Sequence, residues 1–309
     1  MEQAVTCKVV RAVFKDDVIM QGYHSSEFTI EGDNPITVQV EQAGTRAITV
    51  SAENEEYASN LCDVLNKMIR LLMLFDGMFT ELVSFETASD GYTPEDVLRN
   101  YEREYVEYYP SYHRSAGYCT VPLNKLFEFD QVLNAKVWDT WQWMCVELDV
   151  VHRMYMCGLM EGGFPVDLKC ALLIQQADPL VELVRDHKHY FASLTPGFET
   201  HSLMTSLDVL ISKYGTEIFA EELKYNYKEF IRMLESTGDR LTHIKRAQRN
   251  LVVSGDEPIL YSMKMSLLYR VVMFDLLGID KGVYMDSLVE CVKFWDNWDG
   301  VLTRSFKKY

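Results

Sequence analysis

The stretch Thr237–Arg246, TGDRLTHIKR, holds one histidine and three basic residues in ten positions of a chain whose formal net charge is -16. On a helix, Asp239 and His243 stand four apart on one face, with Arg240 three before the histidine. A carboxylate at that spacing holds one imidazole tautomer and favours its charged form, the setting of a general acid or base. Lys245, Arg246, Arg249 and Asn250 follow closely and complete the one dense cationic run in the sequence. A histidine beside cations that stabilise developing phosphate charge is what metal-independent RNA cleavage needs. The same residues also fit a solvated face, with His243 tied to Asp239 and the basic run matching an acidic partner.

Other catalytic patterns are missing. The sequence has no GxSxG, Walker loop, GxGxxG, HExxH or CxxC. His187 and His189, two apart in RDHKHY, diverge on a helix and make a poor metal pair. The seven cysteines are scattered in mostly apolar contexts, which points to reduced core thiols. No metal and no cofactor is expected. Trp138, Trp141, Trp143, Trp295 and Trp298 mark core or dimer interface. In the tyrosine-rich segment 92–118, Arg99, Arg103 and Arg114 are offset by Glu95, Asp96, Glu102, Glu104 and Glu107, so packing rather than base stacking is expected there. With 46 acidic against 30 basic residues, the whole-molecule field repels nucleic acid, and any RNA contact must be local.

The elements that must position TGDRLTHIKR change character along the chain. Up to Ala52 the period is two: VTCKVVRAVF, EFTIEG, ITVQVEQ and RAITVSA predict a small antiparallel sheet. From Glu55 to Gly77 the apolar period is helical, with Ser51 and Asn54 as candidate caps. ELVSFET predicts one more strand, and from Leu126 onward helices are expected over 126–134, 136–160, 165–190, 200–213, 216–250, 257–277 and 283–298. The expected class is α+β: an amino-terminal sheet with a long packed helix over 1–120, then an all-α bundle over 121–309. No window is apolar enough to span a membrane and the start lacks signal-peptide features, so a cytoplasmic protein is expected.

Within the 216–250 helix, Leu223, Tyr227, Phe230, Ile231, Leu234, Leu241 and Ile244 form one apolar stripe that places Gly238 on or beside it. Glycine there costs about 1 kcal/mol relative to alanine, which implies close packing, a kink or a tolerated loss.

These segments resemble the HEPN superfamily of helical RNases and nucleotide-binding domains, in particular its ApeA-like branch of bacterial defence and toxin systems. That family carries an Arg-Asn pair followed by His, in a segment like TRNxLTH, and later a long helix ending in a Leu-Leu-x-x-Leu-Gly-like stretch. Here TGDRLTH spans Thr237 to His243, SLLYRVVMFDLLGI runs from Ser266 to Ile279, and DLKCALLIQQADPLVELV looks like the first bundle helix. The resemblance covers roughly residues 165 to 298. It implies a bundle of four to five helices, a homodimer through the helical domain, and RNA or nucleotide as ligand.

The sequence departs from the family where Gly238 and Asp239 replace Arg-Asn. A second register uses Arg249 and Asn250 as the pair but puts Ser254 at the histidine position. The departure points to an RNA- or nucleotide-binding protein of impaired or lost nuclease activity. The enzyme alternative is a ribonuclease using His243, with Arg240 as a shifted phosphate clamp beside Asp239. A third possibility is a non-catalytic interaction module with an acidic surface.

Overall fold

A computed structural model of the chain describes residues 5–15, 22–77, 82–88, 125–159, 165–186, 202–240, 252–253 and 257–297. It is α+β, with strands first and helices after. The chain divides into two compact units, Met1–Trp143 and Met144–Tyr309. The expected 120/121 boundary lies outside the described residues, and residues 125–143 belong with the sheet.

The first unit is a five-stranded sheet in the order β2-β3-β4-β1-β5. Its strands are β1 (Thr6–Lys15), β2 (His24–Ile30), β3 (Ile36–Gln42), β4 (Thr45–Tyr57) and β5 (Leu82–Ala88). All neighbours pair antiparallel. Alternation puts Phe28, Val38, Val50 and Val10 in one buried cross-strand row, and Val40, Ile48 and Ala12 in the next. Helix α1 (Ala58–Asp76) contributes buried Leu61, Leu65, Met68, Leu72 and Phe75 to this core. Its end is set by Gly77, whose φ of 68° is a left-handed conformation that L side chains resist; the Gly77 N–H donates to the Met73 carbonyl at 2.8 Å.

The start of α1 differs from expectation. β4 runs on to Tyr57, so the acids of SAENEE lie in a strand, and neither Ser51 nor Asn54 caps the helix. Asn54 instead donates its backbone N–H to Asn34 Oδ1 at 3.0 Å, fixing the edge between strands. The interval 126–134 is not an α-helix but a single 3-10 turn, Phe129–Gln131. Beyond it α2 (Ala135–Glu147) carries Trp138 and Trp141, both buried, and Trp141 Nε1 donates to the Lys67 carbonyl at 2.7 Å. These tryptophans pack the sheet unit's core.

The second unit is helical. It comprises α3 (Asp149–Leu159), α4 (Val166–Gln175), α5 (Ala177–Asp186), α6 (Leu203–Tyr214), α7 (Ala220–Leu223), α8 (Tyr227–Asp239), α9 (Glu257–Leu277) and α10 (Lys281–Asp296). Three intervals expected as single helices are broken. The 165–190 interval breaks at Gln176 because Pro179 has no N–H to bond the Gln175 carbonyl and its ring clashes there, while Pro in the first turn of α5 costs nothing. The 216–250 interval breaks before Asn226, whose side chain accepts the Glu229 N–H and starts α8 anew. The 136–160 interval breaks at Leu148. Helix α9 is buried on every side, which makes it the unit's axis.

Candidate functional site

Helix α8 delivers the TGD of TGDRLTH. Phe230, Ile231 and Leu234 are buried, so the expected stripe is its core face; Leu223 belongs to the separate α7. The stripe's end packs tightly: a Cβ built on Gly238 would come within 2.7 Å of Leu203 Cδ2 and 3.0 Å of Ile174 Cγ2. Close packing is therefore why glycine stands there. Beside it, the buried Thr237 hydroxyl donates to the Met233 carbonyl at 2.7 Å and accepts the Val253 N–H at 3.0 Å. The Thr237 side chain thus ties α8 to Val253.

Helix α8 ends at Asp239, with Arg240 as its carboxyl-terminal cap residue. Arg240 is half exposed, and its Nη1 lies 3.8 Å from Asp167 Oδ2 at the start of α4. A solvated pair at that distance contributes little stability. Its chemical meaning is that the guanidinium leans on a carboxylate. Asp239 is half-buried. His243, Lys245, Arg246, Arg249 and Asn250 lie outside the described residues, as do Leu241, Ile244, His187, His189 and Ser254. Of the candidate site residues the structure describes Asp239 and Arg240, adjacent in sequence at the helix end.

No family model, curated protein or solved structure matches the chain.

Two charged clusters lie away from the motif that sequence reading singled out. In the sheet unit, His24 Nδ1 on edge strand β2 sits 2.9 Å from Asp130 Oδ2, and His24 Nε2 lies 3.8 Å from Glu128, which also pairs with Lys125. This carboxylate–imidazole pair links residues 106 positions apart, so no local spacing announces it. In the helical unit, Lys264 Nζ meets both Glu222 oxygens at 2.8 Å and Asp296 Oδ1 at 2.7 Å, with Lys264 and Glu222 wholly buried. Here the sequence carried a signal: Lys264 and Arg270 lie in a helix made mostly of apolar residues, and a lysine in such surroundings must be paired.

Among the described residues, no group of three or more His, Cys, Asp or Glu is arranged to hold a metal. Four of the described thiols are poor nucleophiles: burial pushes Cys170 up to about 12, and Cys7, Cys157 and Cys291 are raised chiefly for the same reason. No described helix is long and apolar enough to cross a membrane.

Proposed function

We propose that this chain is a HEPN-like protein of a bacterial defence or toxin-type system that binds RNA or nucleotide without cleaving it. The observation that carries the reading is the packing of Gly238. In the TRNxLTH register this is the arginine position, and here it has neither a side chain nor room for one between Leu203 and Ile174. Arg240, the nearest replacement cation, is drawn to Asp167 and stands next to Asp239, both of which oppose phosphate. Binding would rest on Lys245, Arg246, Arg249 and Asn250, a local counterweight to the overall charge of -16. A homodimer through the helical unit would double that cationic run across a two-fold axis.

The test is labelled single-stranded RNA incubated with the purified chain in EDTA. Salt-sensitive binding without cleavage is expected, with Arg246→Ala and Arg249→Ala each weakening it and lowering the salt slope by about 1. Cleavage abolished by His243→Ala would replace this reading with the ribonuclease one. Neither binding nor cleavage would leave the acidic interaction module.

A further inference from the structure

Arg240 is placed by packing that it does not itself make. It follows directly on α8 with helical backbone angles, and its N–H donates to the Gly238 carbonyl. Because Gly238 has no side chain, α8 ends close against Ile174 of α4 and Leu203 of α6. That close approach sets the guanidinium beside α4, in whose first turn Asp167 stands. The helix dipole favours a carboxylate at that end.

The contact between the two is loose. Arg240 Nη1 lies 3.8 Å from Asp167 Oδ2, outside hydrogen-bond reach, and the side chains are 51% and 41% exposed. Among the described residues this is the one ion pair that Arg240 makes. An arginine has N–H donors in a planar fork that fits two oxygens of a phosphate at once, and a carboxylate at this distance takes up none of them. Its charge still counts: opposite unit charges about 4 Å apart in water attract by a factor of about five in an equilibrium constant. Asp167 is therefore close enough to compete with a phosphate for Arg240, and too weakly held to win against one that forms two hydrogen bonds.

We propose that Asp167 is an autoinhibitory residue of the RNA site: it holds Arg240 in the RNA-free protein, and a backbone phosphate of RNA takes Arg240 from it on binding. The inference rests on the RNA-binding reading above and concerns how that binding is restrained. Asp167 acts through Arg240 and touches no phosphate itself. Its effect is to weaken RNA binding by the cost of freeing Arg240, most strongly at low salt, where the pair is least screened. A half-exposed pair of this kind contributes little stability, so substitutions in it should leave the fold intact.

The experiment measures binding of labelled single-stranded RNA to the full chain in EDTA, at low and at high salt, for wild type, Asp167→Asn, Arg240→Gln and the double variant. Asp286→Asn, which removes an exposed carboxylate from α10, matches the change in net charge. Asp167→Asn should bind RNA about fivefold more tightly than wild type at low salt, with the gain shrinking at high salt. The gain should vanish in the Arg240→Gln background, and Asp286→Asn should bring little of it. RNA binding that ignores Asp167→Asn, an equal gain from Asp286→Asn, or a gain that persists without Arg240 would each overturn the proposal while leaving the RNA-binding reading in place. RNA bound by none of these chains would overturn both.

Discussion

The Thr237 hydroxyl accepts the Val253 backbone N–H at 3.0 Å, closing the chain on itself across sixteen residues. Both groups are buried, and the same hydroxyl donates back to the Met233 carbonyl one turn earlier. The phosphate contacts expected from the sequence motif, Arg240, Lys245, Arg246, Arg249 and Asn250, fall between those two positions in the chain.

Thr237→Val keeps the shape and removes the hydroxyl, leaving the Val253 N–H buried without its acceptor. A loss of about 1–3 kcal/mol is expected from chemical denaturation, with Thr237→Ser restoring most of it. Equal losses in Val and Ser variants would mean that the methyl group, not the hydrogen bond, matters.

Gly238→Ala sets two effects against each other. Alanine gains about 1 kcal/mol in a helix interior, while a Cβ at 2.7 Å from Leu203 Cδ2 and 3.0 Å from Ile174 Cγ2 overpacks the site by about 1–3 kcal/mol. The clash wins, so the melting temperature should fall, and the fall should lessen in a Leu203→Ala background relative to the sum of the single changes. Gly238→Arg, which puts the arginine of the TRNxLTH pattern at this position, should destabilise further and bring no RNase activity in EDTA. A stable Gly238→Arg variant that cleaves RNA would show that this position can present a cation after all.

Local patterns in the sequence account for most of the fold and for little of the site. The alternation in VTCKVVRAVF, ITVQVEQ and RAITVSA marks β1, β3 and the inner part of β4, because a half-buried strand must alternate. Gly77 marks the end of α1, because only glycine adopts its conformation at low cost. The helix breaks are harder to read: Pro179 is a visible stop, whereas Asn226 interrupts a continuous apolar stripe by capping, an energy that periodicity does not contain. The Thr237–Val253 bond, the His24–Asp130 pair and the Arg240–Asp167 pair join residues far apart in sequence, and pairings of that kind exist only once the chain has folded.

Magnitudes separate a buried charge cluster from an exposed pair. Lys264→Met would leave the wholly buried Glu222 and the partly buried Asp296 without their shared cation, and a loss of about 3–5 kcal/mol is expected. Arg232→Met, which breaks the exposed Arg232–Glu229 pair of 2.9 Å, should cost about 0–1 kcal/mol. Urea titrations of both variants check the contrast. Similar small losses would mean that water reaches Lys264.

Tyr284, in the first turns of α10, supplies a prediction of opposite sign. Its side chain is fully buried, its hydroxyl has no hydrogen-bond partner among the described residues, and burial with the nearby charges of Asp275 and Asp280 pushes it from 10 to about 12. Tyr284→Phe should therefore stabilise the protein, by about 1 kcal/mol at neutral pH, because an unpaired hydroxyl no longer has to leave water. Above pH 10 the unfolded wild type releases this proton while the folded state keeps it, so wild-type stability falls as pH climbs from 10 to about 12. Phenylalanine has no proton to release, so the advantage of the variant should widen across that window. Denaturation curves at neutral pH and near pH 11 check it, and a constant difference between the two chains would mean that the Tyr284 hydroxyl is not in a desolvated site.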